Sequence, residues 1–118
     1  MEESILTSIK KLLGISSENT DFDQDIIMHI NSVFMILNQL GIPKDEKDFF
    51  IEDESTTWDD YLGNDISIFS AVKSYIYLKV KLLFDPPLNS AVKEANQQLL
   101  DELEWRLNIQ TDEKIRRN

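Results

Sequence analysis

The sequence predicts an all-α fold, a compact bundle of about four main helices with one short helical turn inside a long acidic loop. Three observations predict it. Apolar residues recur at spacings of three and four along separate stretches, the mark of helices with one buried face. The three glycines and three prolines sit between those stretches, where they punctuate rather than interrupt. At 118 residues and 42% apolar, the chain can fill one small core and has little room for a second domain.

The first helix is predicted over Ile5 to Leu13, with Ile5, Ile9, Leu12 and Leu13 on one face, Ser4 as N-cap and Gly14 as stop. The second runs from Phe22 to Leu40. Its stripe is Phe22, Ile26, Ile30, Val33, Phe34, Leu37 and Leu40, and Asp21 with Gln24 offers a capping box. Gly41-Ile42-Pro43 ends it, glycine for a left-handed position and proline to prevent continuation. Residues 44–56 are acidic and weakly patterned, with Phe49-Phe50-Ile51 as a short extended piece. Thr57 as N-cap, Asp60 at the third position and Gly63 past the end then outline a short helical turn.

A third long helix is predicted from about Ser67 to Phe84, with the stripe Ile68, Phe69, Val72, Tyr75, Ile76, Val80 and Leu83. Much of its remaining surface is apolar too, so it reads as the central helix, contacted on several sides. Asp85-Pro86-Pro87 breaks the chain. The last helix begins near Ser90 and ends near Asn108, burying Val92, Ala95, Leu99, Leu103 and Leu107. Residues 1–109 thus read as a single helical domain, and 110–118 as a flexible or partner-ordered tail.

Composition excludes several functions. Acidic residues number 22 against 12 basic ones, a formal net charge of −10, whereas gripping a phosphate backbone requires clustered cations. The chain has no cysteine, which removes disulfides, thiolate nucleophiles and cysteine-ligated metals. Met1-Glu2-Glu3 is not a cationic leader, and the most apolar stretch, Tyr75 to Phe84, is short and holds Lys79 and Lys81, so it does not span a bilayer. G-x-S-x-G, H-E-x-x-H and the glycine-rich phosphate loops are absent. The acids Glu52, Asp53, Glu54, Asp59 and Asp60 do not make an EF-hand, because Asp53 to Asn64 has no glycine at its sixth position. They read as a solvated loop with acids near a helix start, or as carboxylates facing a channel where they would repel nucleic acid. The sequence predicts no enzyme, no cofactor and no metal centre.

The single histidine, His29, has no second imidazole or nucleophile beside it and reads as structural. Lys79 falls under Val72 on the third stripe, so its ammonium must snorkel or meet a carboxylate. Two partners fit: Glu102 or Glu104 of the same chain, or an acid on a neighbouring subunit. Met28 and Met35 lie opposite the Ile30 stripe, and Trp105 points away from the leucine face of the last helix. Large apolar side chains off the core face mark either a docking surface or a second covering layer.

As a set, ILTSIKKLLGI at the start, Thr57-Trp58-Asp59-Asp60-Tyr61-Leu62-Gly63, YIYLKVKLLFDPP and the closing ELEWRLN resemble the small head–tail connector proteins of tailed phages, also described as DNA-packaging or head-completion adaptors. The likeness extends over about residues 4 to 108. It implies a helical domain that assembles, typically as about twelve copies, into a ring under the portal protein. The ring extends the DNA channel, DNA passes without specific binding, and a stopper or tail-completion protein docks beneath. It also implies a location at the virion head–tail junction, and in the bacterial cytoplasm before assembly. On this reading Met28, Met35, Trp105, Arg106, Arg116 and Arg117 contact the portal or adjacent subunits, and some of the loop acids face the lumen or the next ring. The alternative is an acidic helical regulator, or DNA mimic, that binds a basic protein.

Overall fold

The computed structural model describes residues 3–42, 49–63 and 67–117, with 110–117 by backbone alone. The helices are α1 (Ile5–Leu12), α2 (Asp23–Gln39), α3 (Trp58–Leu62), α4 (Phe69–Phe84) and α5 (Ser90–Arg117). Ser4 caps α1 as its sequence position predicts, its hydroxyl accepting from the Thr7 N–H at 3.2 Å. At the far end of α2, Gly41 takes φ +89°, and the Gly41 and Ile42 N–H groups return to the carbonyls of Asn38 and Leu37. That pairing satisfies two terminal carbonyls and turns Ile42 into the core.

The stripes converge on one core. Ile5 and Ile9 of α1, Ile26, Ile30, Phe34 and Leu37 of α2, and Val72, Tyr75, Ile76 and Val80 of α4 are all buried in it. Each such side chain contributes about 1.5–3 kcal/mol by leaving water, the main term holding the bundle together. α4 packs against α1, α2 and α5, the central place that its apolar surface predicts.

α3 carries a full capping box. The Thr57 hydroxyl accepts from the Asp60 N–H at 3.2 Å, and the Asp60 carboxylate accepts from the Thr57 N–H at 2.9 Å. A short antiparallel bridge then ties α3 to the start of α1: the Ile5 N–H donates to Thr56 and the Trp58 N–H to Glu3. Trp58 and Tyr61 are thereby delivered into the core, Tyr61 edge-on to Phe34 with centroids 4.7 Å apart.

Several features depart from the sequence reading: on α1, Leu12 faces solvent instead of the core. Asp21 and Gln24 form no capping box: Asn19 Oδ1 accepts the Asp21 N–H, Phe22 occupies the cap position, and no side chain caps α2. Phe22 is also not core but exposed, with its ring edge-on to Phe84. α4 begins at Phe69 rather than Ser67, and Leu83, the last stripe member, is exposed because the bundle stops short of it. On α5 the buried residues are Leu100 and Leu107 with Leu103 half-buried, while Val92, Ala95 and Leu99 face solvent. α5 leans on α4 along the Leu100 side, so its first turns stand clear. Finally, α5 continues to Arg117 instead of ending near Asn108, since no glycine or proline follows Asn108 to stop it.

Candidate functional site

On α2 the side opposite Ile26, Ile30 and Leu37 carries Met28 and Met35, which are 57% and 62% exposed. Helical spacing places Asn31 between them. Its side-chain amide grips the backbone of Ile51 twice, accepting the Ile51 N–H at 2.8 Å and donating to the Ile51 carbonyl at 2.9 Å. The segment reads in, out, in: Phe49 half-buried, Phe50 exposed, Ile51 buried. The two bonds hold this segment against Asn31 of α2, with the Phe50 side chain left 58% exposed. Exposed Glu52, Asp53 and Glu54 follow immediately in the chain.

Trp105 is 63% exposed on α5. It shares a shallow groove with Leu40 at the end of α2 and with Asp101, Glu104 and Asn108. The neighbouring Glu104 holds α5 in place: the Tyr75 hydroxyl of α4 donates to its carboxylate at 3.0 Å. Burial, and then the Glu104 carboxylate, push the Tyr75 phenol well above its usual range. Neither a second helix layer nor the acidic loop covers Trp105, Met28 or Met35, so the covering alternative is not realised among the described residues.

The other predicted residues fare differently. Lys79 is half-buried, and neither same-chain partner takes it: Glu102 pairs with Arg106 at 2.7 Å, and Glu104 is engaged by Tyr75. Arg106 therefore already has a carboxylate one turn back on its own helix. The side chains of Arg116 and Arg117 lie outside the described residues. Among the acids, Asp60 closes the α3 capping box, and Asp53 Oδ1 accepts from both the hydroxyl and the N–H of Ser55, which lowers its pKa. Asp59 is half-buried, and Glu52 and Glu54 are exposed. His29 is half-buried with its ring edge-on to Phe84, the packing role expected of it.

Sequence reasoning missed Lys10. Only 3% exposed, it places its ammonium 2.8 Å from Asp23 Oδ1 and donates to the carbonyls of Ser17 and Asn19. Lys10 follows buried Ile9 and lies one turn after buried Leu6, outside the stripe Ile5, Ile9, Leu12 and Leu13. Phe50 and the fully exposed Leu88 were also overlooked as surface apolar residues.

Among the described residues, no helix is long and apolar enough to cross a membrane. Comparison with curated proteins and with solved structures finds no match. A family model described as phage connector protein matches residues 5–114. That span begins at the first residue of α1, takes in the core, the capped α3 turn and Trp105, and ends within the last turn of α5, and the chain belongs to the phage connector protein family.

Proposed function

We propose that the chain is a non-enzymatic adaptor of the head–tail connector. Copies form a ring beneath the portal, extend the DNA channel and present a platform for a stopper or tail-completion protein. Family membership supports the connector role. The observation that carries the finer reading is the apolar area left bare: Met28, Met35 and Trp105 are each more than half exposed on a domain whose core is already complete. Side chains of this kind act as anchors when a neighbour covers them.

The charge balance suits the same role. With a net charge of −10, a conduit wall does not retain the DNA that passes it. On this reading some of Glu52, Asp53, Glu54, Asp59 and Asp60 face the lumen or the next ring. The end of α5, with Arg116 and Arg117, docks against acids of the portal or an adjacent copy. Lys79 meets a carboxylate of a neighbouring subunit. The protein waits in the bacterial cytoplasm and ends at the head–tail junction.

The test is to mix the purified protein with portal-bearing heads that lack it, then sediment and image them. Added density under the portal that survives moderate salt is the expected result. Binding to a DNA-binding protein instead, in competition with DNA and abolished by salt, would favour an acidic regulator.

A further inference from the structure

α2 and α4 carry opposite charge. From Leu12 to Pro43, and again from Phe49 to Val72, the sequence holds no lysine or arginine, and its acids include Asp25, Glu52, Asp53 and Glu54. From Phe69 to Phe84 the pattern reverses: Lys73, Lys79 and Lys81 occur without a single acid.

The buried stripes of the two helices meet in one core, so their outer faces point away from it. On α2 the outer face carries exposed Met28 and Met35, and the segment that Asn31 holds by Ile51 carries exposed Phe50 and the acids Glu52, Asp53 and Glu54. On α4 it is exposed Ser70 and Ser74 with half-buried Tyr77 and Lys81, across the helix from Val72, Ile76 and Val80, Tyr77 also touching the core. Lys81 Nζ sits 5.8 Å from the centroid of the Tyr77 ring and donates to its hydroxyl at 3.5 Å, so cation and ring form one unit.

We infer that copies of this chain dock head to tail, the Tyr77–Lys81 face of α4 seating on the Met28–Met35 face of α2 and the Phe50 segment held to it in the next copy. This rests on the connector reading and deepens it by naming the two surfaces. Each group finds its complement: thioether sulfur meets an aromatic ring, and ammonium meets carboxylates. Ser70 and Ser74 keep the α4 face low, so that a facing helix can approach to about 8–10 Å between axes. Two different faces meet, and every copy keeps one of each free. The association therefore propagates until its rotation closes a ring.

The chain has no cysteine, which makes disulfide trapping direct. Met35→Cys and Ser74→Cys replace exposed residues, and circular dichroism melts confirm that each variant folds. The two single variants are mixed and oxidised at high concentration, both free and on portal-bearing heads. The mixture should give a linked dimer at least about tenfold more abundant than either variant alone, and the double variant should give a ladder of higher species. Adding Lys81→Glu to the Ser74→Cys copy should cut the dimer on the order of tenfold at low salt, and Glu52→Lys with Glu54→Lys on the other copy should restore it. No link in the mixture under either condition, equal linking by one variant alone, or indifference to Lys81→Glu overturns the inference. Heads that bind wild-type protein while the mixture gives no link retain the connector reading and discard this interface. A link in free protein with no binding to heads does the reverse.

Discussion

The indole N–H of Trp58 donates to the hydroxyl of Ser8 at 3.0 Å, a buried side-chain bond between residues 50 positions apart. Ser8 in turn donates to the Ser4 carbonyl at 2.6 Å, so the hydroxyl links α3 to the first turn of α1. Ser8→Ala strands the indole donor in the core. It should cost about 1–3 kcal/mol, read as a lower midpoint in urea with an unchanged slope. An unchanged midpoint would mean that this bond contributes nothing.

Lys10 is the second fixed point. Its ammonium serves Asp23 and two loop carbonyls at once, so Lys10→Ala leaves a partly buried carboxylate and two acceptors without their donor. Removing one partner of a pair this buried should destabilise by roughly 3 kcal/mol. Adding Asp23→Ala should then cost less than it does in the wild type, because the two residues are coupled. Simple additivity of the two losses in chemical denaturation would contradict the pairing.

The tyrosines set the alkaline limit. Burial raises the Tyr75 and Tyr61 phenols above their ordinary value of 10.0, so the fold favours the protonated form. The stability this supplies is fully present below about pH 10 and is lost as the pH climbs from there toward the folded-state values. Thermal melts should show a steady midpoint at neutral pH and a fall above about pH 10 that is shallower in Tyr75→Phe. At neutral pH the same variant should lose about 1 kcal/mol with the bond to Glu104.

Much of this architecture can be read from residue order. The Thr57 and Asp60 capping box and the glycine stops at Gly14, Gly41 and Gly63 are local devices, each set by residues within about one turn. The buried face of α5 was not legible, because Leu99 and Leu100 are adjacent and either can complete a stripe with Leu103 and Leu107. Only the lean of α5 on α4 chooses between them. Lys10 escaped for a similar reason: its acceptors are two carbonyls of a loop whose path no periodicity encodes and Asp23 at the start of α2. Met28, Met35 and Trp105 stood out because a helical wheel shows where a stripe is not. The wheel did not show that Asn31 would hold the backbone of Ile51.

The central claim, that these bare apolar residues exist for a neighbour, is tested most directly by pairing two readouts on Trp105→Ala and on Met28→Ala with Met35→Ala. Unfolding free energy should move by no more than about 0.5 kcal/mol, as for other exposed positions, while binding to portal-bearing heads weakens at least about tenfold. Variants that fold normally and bind the heads as tightly as the wild type would contradict it.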